Sequence, residues 1–266
     1  MLFLIIILLF SVCNSLKVVH LNNDNFVSLR GPVTSTSIAE LIANLLDKHD
    51  DERYIYLNTN GGSVDAGLKL INVIKDLENN NIKISCIADT AISMGFVIFQ
   101  SCTNRYVLTH STLMQHQMSL GGLSGKLLEL NSYMNHINSI EYTLNKMQSY
   151  RIHISQADFE SKINNDWWLT SEESIIDNVS DEIISIKCMF PKEKEIIEIN
   201  TFFGDILLHY MKCPQVSAPV KVEMKLTSKD VNNNEIKDII SNNFINLQKK
   251  SDLIFNYYNK FIQITF

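Results

Sequence analysis

The chain has 266 residues, of which 45% are hydrophobic, and a formal net charge of −6. This length predicts one domain of roughly 150 to 200 residues with an appendage, or two small domains. The composition is that of a packed globular protein rather than a disordered one. Because the net charge is negative and the 23 Lys and Arg residues are scattered, the sequence argues against a general binder of nucleic acid or anionic membranes.

The N-terminus carries a hydrophobic segment. Leu2 to Phe10 is an unbroken apolar run, shorter than the roughly 20 apolar residues that span a bilayer. The run fits the core of a signal peptide, with Cys13 and Ser15 as the small residues before a cut after Ser15. We therefore predict a signal peptide at residues 1–15 and a protein that enters the secretory pathway or is secreted. An uncleaved membrane anchor and an organelle-directed leader are the alternatives.

From Leu16 to about Ile186, strands and helices alternate in the pattern of apolar residues. This order predicts an α/β fold with a mainly parallel sheet covered by helices, in which ligands bind beyond the carboxyl ends of strands. The first predicted elements are a strand at Phe26–Leu29, a helix from Ser35 or Thr36 to Leu46, a strand at Tyr54–Leu57, a helix at Val64–Leu77 and a strand at Ile82–Ile87.

The second half of this region continues the alternation. Its predicted elements are strands at Arg105–Leu108 and Leu113–Gln117, a long helix at Lys126–Tyr150, and helices that begin at Ser155 and Thr170. The long helix carries apolar residues on more than one face, which indicates packing on more than one surface and a contact between subunits.

Beyond Cys188 the sequence changes character, with prolines among mixed charged and apolar segments. We predict an amphipathic helix at Asp230–Leu247 and treat residues 189–266 as a C-terminal extension of unknown role. Cys86 and Cys102 lie in apolar context and are predicted to be buried thiols, although secretion would allow one disulfide. Without a CxxC motif or a Cys/His cluster, the sequence predicts no structural zinc site.

The stretch "DTAISMGFVIFQ" (89–100) is almost wholly apolar, yet it holds a serine, Ser93. A lone serine in such a segment is usually a small polar residue that bonds back to a helix carbonyl. The predicted elements place Ser93 a short loop after a strand and at the start of a helix, Met94–Gln100. Free N–H groups and the helix dipole favour developing negative charge there, so Ser93 is also a candidate nucleophile.

Four further residues are candidates for the other groups that a serine hydrolase needs besides the nucleophile. His116 lies in an apolar, strand-like stretch, where a lone histidine is more often a core residue. Asp166 precedes a predicted helix and is by itself an ordinary loop carboxylate. Gly61 and Gly62 end a strand, and alone they indicate only a tight turn.

Together, these pieces resemble one family. The matching segments are "YIYLNTNGGSVDAGL" (54–68), "ADTAISMGF" (88–96), "LMQHQMSLGGLSG" (113–125) and "NDWWLTSEESIIDNVSDEI" (165–183). Between about Phe26 and Ile186 the chain resembles the proteolytic subunit of the ATP-dependent Clp protease. The resemblance implies the ClpP/crotonase fold, a spiral of β-α-β units with a long protruding handle helix, and places a serine peptidase domain at residues 16–188.

The resemblance also implies roles for individual residues. Ser93 matches the nucleophile, His116 the general base and Asp166 the carboxylate that orients the base, with Asp177 and Asp181 as nearby rivals for that role. Gly62 and Met94 match the positions whose N–H groups form the oxyanion hole. The segment that matches the substrate-pairing strand includes Leu120, Gly121, Gly122 and Leu123. No cofactor or metal is implied.

For assembly, the resemblance implies a homo-oligomeric ring of seven subunits. Two such rings would enclose a chamber for peptides or unfolded proteins. The resemblance also implies an AAA+ unfoldase as a partner. The sequence departs from the family at Asn165, where an arginine usually joins an inter-ring network, and at Met118, where proline is usual. After a cut at Ser15 only ten residues precede Phe26, which shortens the family's axial hairpin.

Two other functions fit parts of the pattern. One is a non-catalytic ring subunit or adaptor that keeps the fold, which the complete set Ser93, His116 and Asp166 disfavours. The other is a crotonase-like enzyme that stabilises an acyl-CoA enolate in a similar backbone hole. That function leaves Ser93 and His116 without a joint role.

Overall fold

The computed structural model describes residues 16–121, 124–190, 193–201, 204–216 and 218–226. The predicted signal segment (1–15) and the predicted helix at Asp230–Leu247 lie outside the described residues. Ten strands and six helices are present in the described part. They are β1 (Lys17–Leu21), β2 (Phe26–Arg30), α1 (Ser35–Leu46), β3 (Glu52–Thr59), α2 (Val64–Asn79), β4 (Lys83–Ile92), α3 (Met94–Ser101), β5 (Asn104–Gln115), α4 (Leu127–Arg151), α5 (Gln156–Ile163), β6 (Trp167–Leu169), α6 (Ser171–Ile176), β7 (Glu182–Cys188), β8 (Lys194–Thr201), β9 (Gly204–Met211) and β10 (Lys221–Leu226).

Seven strands form the main sheet in the order β1-β7-β5-β4-β3-β2, with β6 paired to β5. Every pair along this path is parallel, whereas β6 runs antiparallel to β5. Central parallel strands are covered on both faces, which explains the nearly continuous apolar runs in β3 and β4. The predicted α/β class with a mainly parallel sheet is confirmed.

Strands β1, β6 and β7 of the main sheet were not predicted from the sequence, and two of the predicted regions differ in extent. β4 continues past Ile87 to Ile92, because the pairing with its neighbours shifts around Asp89 and then resumes at Thr90. β5 is one strand rather than two: the Ser111 hydroxyl donates to the carbonyl of Ala88 at 2.6 Å and keeps the polar middle of β5 on the sheet. The polar residues Asp89 and Ser111 had suggested loops, but both lie within strands.

The helices begin where short polar side chains cap them. Thr34 caps α1 in a capping box with Ser37, so the predicted caps, Ser35 and Thr36, were wrong by one or two residues. Thr34 has the extended backbone that an N-cap requires, and its side chain accepts from the Ser37 N–H. Ser155 caps α5, and Thr170 forms a capping box before α6, as predicted.

Two groups of buried side chains cover the two faces of the main sheet. The larger group joins the sheet to the helices and includes Leu57, Leu70 and Phe96. The smaller group covers the other face and includes Tyr56, Tyr106 and Phe190. Phe190, just past the last strand of the sheet, stacks on Phe26 of β2 with ring centroids 5.8 Å apart.

The long helix α4 is poorly covered by its own chain. Its buried residues are Leu144, Asn145, Gln148 and Ser149 near the C-terminal end. Leu127, Leu128, Tyr133, Met134 and Tyr142 are large apolar residues that stay exposed. None of the helices in the described ranges is both long and apolar enough to cross a membrane.

Past β7 the described chain forms a separate antiparallel sheet of β8, β9 and β10. Arg30 of β2 holds it to the main domain: its Nη2 donates to the carbonyls of Met211 (2.9 Å) and Lys212 (3.3 Å). A disulfide between Cys188, the last residue of β7, and Cys213, shortly after β9, also joins this sheet to the main domain. This sheet is the described part of the C-terminal extension.

Cys86 and Cys102 are both buried, as predicted. The structure joins them in a disulfide, so the prediction that they are free thiols was wrong. Cys86 lies in β4 and Cys102 directly follows α3, and this return of the chain brings their Cα atoms to 5.8 Å, within the range that a disulfide spans.

Candidate active site

Ser93 occupies the turn between β4 and α3. Because β4 runs to Ile92, no loop separates the strand from the serine, and α3 begins at the next residue. The backbone of Ser93 has φ 56° and ψ −120°, a region that side-chain-bearing residues rarely adopt. Such strain persists only where neighbours hold it, and it is typical of functional sites. A sharp strand-to-helix turn of this kind exposes a nucleophilic serine in other hydrolases.

The Gly61–Gly62 turn packs directly against Ser93. Gly61 has φ +88°, and a Cβ placed on it would lie 2.6 Å from the Ile92 carbonyl oxygen and 2.7 Å from the Ser93 Cβ. The turn is anchored by the Val33 N–H, which donates to the Gly61 carbonyl at 2.8 Å, and by the Ser63 N–H, which donates to the Val33 carbonyl. Glycine at position 61 therefore allows the turn to approach Ser93.

Two backbone donors remain free beside Ser93. In the described part of the chain, no hydrogen bond uses the N–H of Gly62 or of Met94. Met94 is the first residue of α3, where N–H groups lack a partner within the helix. Gly62 and Met94 both line one pocket with the serine. Free donors that converge on a nucleophile can stabilise an oxyanion.

His116 lines the same pocket as Ser93. It directly follows β5, which pairs with β4 as far as Ile92 opposite Met114. The Ser93 N–H donates to the Met114 carbonyl at 2.9 Å and so fixes the serine beside the end of β5. The histidine is half-buried, with one side open to the pocket, rather than enclosed as a core histidine would be.

Asp166 is placed by the short strand β6. The antiparallel register pairs Leu113 with Leu169 and Gln115 with Trp167. Asp166 directly precedes Trp167 and His116 directly follows Gln115, so the pairing brings Asp166 to the same end of β5 as His116. Asp166 is exposed and is not among the residues that line the pocket.

The hydrogen bonds of the described residues include none that join the side chains of Ser93, His116 and Asp166 to one another. Such bonds are often long in ligand-free enzymes and tighten when substrate binds. The neighbouring loops are nonetheless joined by side chains: Gln117 Nε2 donates to Asn164 Oδ1 at 2.8 Å. This bond links the loop after His116 to the loop before Asp166.

Comparison with known proteins gives one family. The model of the Clp protease family matches residues 14–187. The chain belongs to the Clp protease family. It is 29% identical, over 173 residues, to ATP-dependent Clp protease proteolytic subunits of Streptococcus pyogenes serotype M5 (strain Manfredo) and serotype M1, covering 62% of this chain and 87% of each relative. Membership of the Clp protease family supports a peptidase and favours neither the adaptor nor the acyl-CoA enzyme.

In this Clp protease family member, the two rival carboxylates have other partners. Asp181 accepts from the Arg105 backbone N–H at 2.7 Å and pairs with the Arg105 guanidinium at 2.5 Å. Asp177, which caps the C-terminus of α6, pairs with Lys162 at 3.1 Å. Both rival carboxylates therefore pair with basic side chains other than His116, and the pairing of β6 with β5 favours Asp166 as the candidate.

The segment that the resemblance assigned to substrate pairing is only partly described. Leu120 and Gly121 are exposed and form no strand, while Gly122 and Leu123 lie outside the described residues. Among the described residues, no group of three His, Cys, Asp or Glu side chains is arranged to hold a metal ion.

The sequence did not indicate the contribution of α4 to the site. Glu141, Leu144, Asn145 and Gln148 of this helix line the pocket opposite Ser93. The Gln115 amide donates to the Gln148 side-chain oxygen at 2.7 Å, and the Met118 N–H donates to Glu141 Oε1 at 2.9 Å. Residues 141, 144, 145 and 148 follow the i, i+3, i+4, i+7 spacing of one helix face, which was the one signal available in the sequence.

Proposed function

We propose that this chain is a serine endopeptidase that cleaves peptides or unfolded proteins through an acyl-enzyme, with Ser93, His116 and Asp166 as its catalytic residues. The observation that carries the proposal is the strained turn of Ser93, which presents the hydroxyl to the pocket that His116 also lines. A serine kept only for packing gains nothing from a backbone conformation that costs about 1–3 kcal/mol.

The proposed mechanism gives each of these groups one role. Ser93 Oγ attacks the scissile carbonyl carbon while His116 accepts the hydroxyl proton. His116 then donates this proton to the departing amine as the C–N bond breaks. The carboxylate of Asp166 orients the imidazole and stabilises its protonated form. Water, deprotonated by His116, releases the acyl group and restores the Ser93 hydroxyl.

The negative charge of each tetrahedral intermediate lies on the former carbonyl oxygen. The free N–H groups of Gly62 and Met94 are the donors proposed to stabilise it. Met94 acts through its backbone, and its side chain, 2% exposed, packs in the core. Removing one such donor from an enzyme of this type lowers kcat by about 10²–10³.

Cleavage of an internally quenched peptide tests this function. We expect Ser93→Ala to abolish cleavage and Asp166→Asn to lower kcat by about 10⁴-fold, because the imidazole loses its orienting charge. Ser119→Ala and Asp177→Asn are matched controls: Ser119 lines the same pocket, and Asp177 is the rival carboxylate. Full cleavage by the Ser93→Ala variant would contradict the proposal.

Assembly and location are part of the proposal. A homo-oligomeric ring is supported by family membership and by the exposed apolar residues of α4, among them Leu127, Leu128 and Tyr142. Secretory routing is proposed from the apolar segment at residues 1–15. The relatives are named ATP-dependent, which supports an ATPase partner that unfolds substrates only for the alternative, organellar location, because a secretory location removes that partner.

A further inference from the structure

The pocket beside Ser93 contains one acidic side chain. Glu141 of α4 is half-buried and lines the pocket together with Ser93 and His116. One of its oxygens, Oε1, accepts from the Met118 N–H at 2.9 Å. In the described chain, no hydrogen bond or ion pair uses the other oxygen, Oε2. A bonded Oε1 fixes the carboxylate in place and leaves Oε2 available to a ligand.

His116 is the one basic side chain that lines the pocket. Neither Lys nor Arg lines it, and neither lines the adjoining surface depression that Glu141 shares with Glu160. A half-buried carboxylate without a lysine or arginine partner attracts a cation more strongly than a carboxylate in bulk water does. The pocket therefore favours a positively charged group on the substrate.

The remaining walls have the character that a basic side chain needs. Val64, Val97, Met118 and Leu144 supply apolar surface, which suits the methylene stem of a lysine or arginine. Asn145 is 7% exposed, and its amide makes no hydrogen bond within the described residues. Asn145 lies one helical turn after Glu141 on the same face of α4 and lines the same pocket, so its side-chain oxygen is a second acceptor there.

We infer that Glu141 determines specificity and that the peptidase prefers a basic residue, lysine or arginine, at the position whose carbonyl Ser93 attacks. This inference rests on the proposed function, because it assigns a substrate class to the same site. The amide of Asn145 contributes an additional acceptor, and the apolar walls contribute affinity without discrimination between lysine and a neutral side chain of the same length.

The test compares two covalent probes that differ by the terminal ammonium group of one side chain. Peptidyl diphenyl phosphonates with lysine or norleucine at the reactive position modify a serine nucleophile, and the rate of modification of Ser93 is followed by intact mass. We expect the lysine probe to react faster. In Glu141→Gln the ratio of the two rate constants falls about tenfold, because a charge-assisted hydrogen bond becomes a neutral one.

This substitution separates charge from structure, since glutamine retains an oxygen that can accept from the Met118 N–H. Glu160→Gln is the matched control: Glu160 lies in the adjoining depression but does not line the Ser93 pocket. We expect Glu160→Gln to leave the ratio of the lysine and norleucine rate constants unchanged. In the unmodified protein, raising the salt concentration lowers the ratio, which tests the same charge without a substitution.

The outcomes are distinguishable. Equal rates for the two probes, or a ratio that Glu141→Gln and salt leave unchanged, overturn the role of Glu141 while modification of Ser93 still supports a serine peptidase. If neither probe modifies Ser93 in folded protein, the proposed function fails, and the specificity inference fails with it.

Discussion

At the scale of single residues, the turn that holds Ser93 depends on close packing behind it. The serine is held at φ 56° by its N–H bond to Met114 and by the start of α3, whose Phe96 and Val97 N–H groups donate to the Ser93 carbonyl at 2.9 and 3.2 Å. Gly61 closes the other side of the turn. The strained conformation is therefore determined by several contacts rather than by Ser93 itself.

Gly61→Ala tests this dependence. The added methyl group would collide with the Ile92 carbonyl and the Ser93 Cβ, and alanine is strained at φ +88°. We expect the free energy of unfolding to fall by about 2 kcal/mol or more, together with most peptide cleavage. Urea unfolding and the rate of peptide cleavage measure the two effects.

Gly31→Ala is the matched control. Gly31 also has positive φ (+79°), but a Cβ there meets nothing within 4 Å. We expect Gly31→Ala to lower the free energy of unfolding by about 1 kcal/mol through backbone strain alone and to leave peptide cleavage unchanged. Equal effects of the two substitutions on cleavage would show that the contact with Ser93 is unimportant.

At the scale of secondary-structure elements, Asp181 joins β5 to the turn before β7. Burial raises the pKa of the Asp181 carboxyl, but the hydrogen bonds and charge of Arg105, with a smaller contribution from Arg151, lower the pKa more, and it lies below its usual value. Arg105 is 4% exposed in its side chain, so the pair holds a buried cation.

Asp181→Asn leaves the Arg105 guanidinium without its counter-charge, and we expect a loss of about 3 kcal/mol in unfolding free energy at pH 7. Because the folded pKa is depressed, the contribution is complete above the unfolded pKa of about 4 and is lost as the pH falls through the folded pKa. Urea unfolding of the unmodified protein and of Asp181→Asn between pH 7 and pH 2.5 measures the difference in their unfolding free energies.

The difference in unfolding free energy between the unmodified protein and Asp181→Asn should become smaller toward pH 2.5. If this difference stays constant from neutral to acidic pH, the Asp181–Arg105 ion pair does not account for the stability that the substitution removes. Lys162 and Asp177 form a more exposed pair, and Asp177→Asn provides the control, with an expected loss of about 0–1 kcal/mol.

The sequence predicted the kind and order of most elements because apolar periodicity reports which face of each element is buried. It could not place the ends of β4 and β5. Asp89 and Ser111 resemble loop residues, and only the pairing of neighbouring strands shows that both remain within the sheet.

For the site, the motifs identified which residues to consider, but their arrangement required the fold. Asp166 lies at the same end of β5 as His116 because β6 pairs with β5, and short-range patterns do not determine that pairing. Likewise, Glu141 and Asn145 of α4 become part of the pocket only once α4 packs against α3 and α5.

At the scale of the whole molecule, the C-terminal sheet is an addition to the family domain. The family model ends at residue 187, and the disulfide between Cys188 and Cys213 begins at the next residue. Arg30 contacts the same segment, and its guanidinium lies 5.4 Å from the Tyr210 ring centre. The disulfide and the Arg30 contacts hold the described extension against the domain.

Replacing both Cys188 and Cys213 by serine tests this junction. A crosslink closing a 25-residue separation stabilises the closed form by about 3–4 kcal/mol. Limited proteolysis should therefore cleave residues 189–216 faster in the double variant, while residues 16–188 stay resistant. Equal cleavage rates with and without the disulfide would contradict a stabilising role for it.

Labelling with a fluorophosphonate probe, followed by peptide mapping, tests whether Ser93 is a nucleophile. We predict that folded protein takes up one probe per chain on Ser93, that Ser93→Ala takes up none, and that His116→Ala reacts far more slowly. Labelling of another residue, or no labelling of Ser93 in folded protein, would show that Ser93 is not the nucleophile.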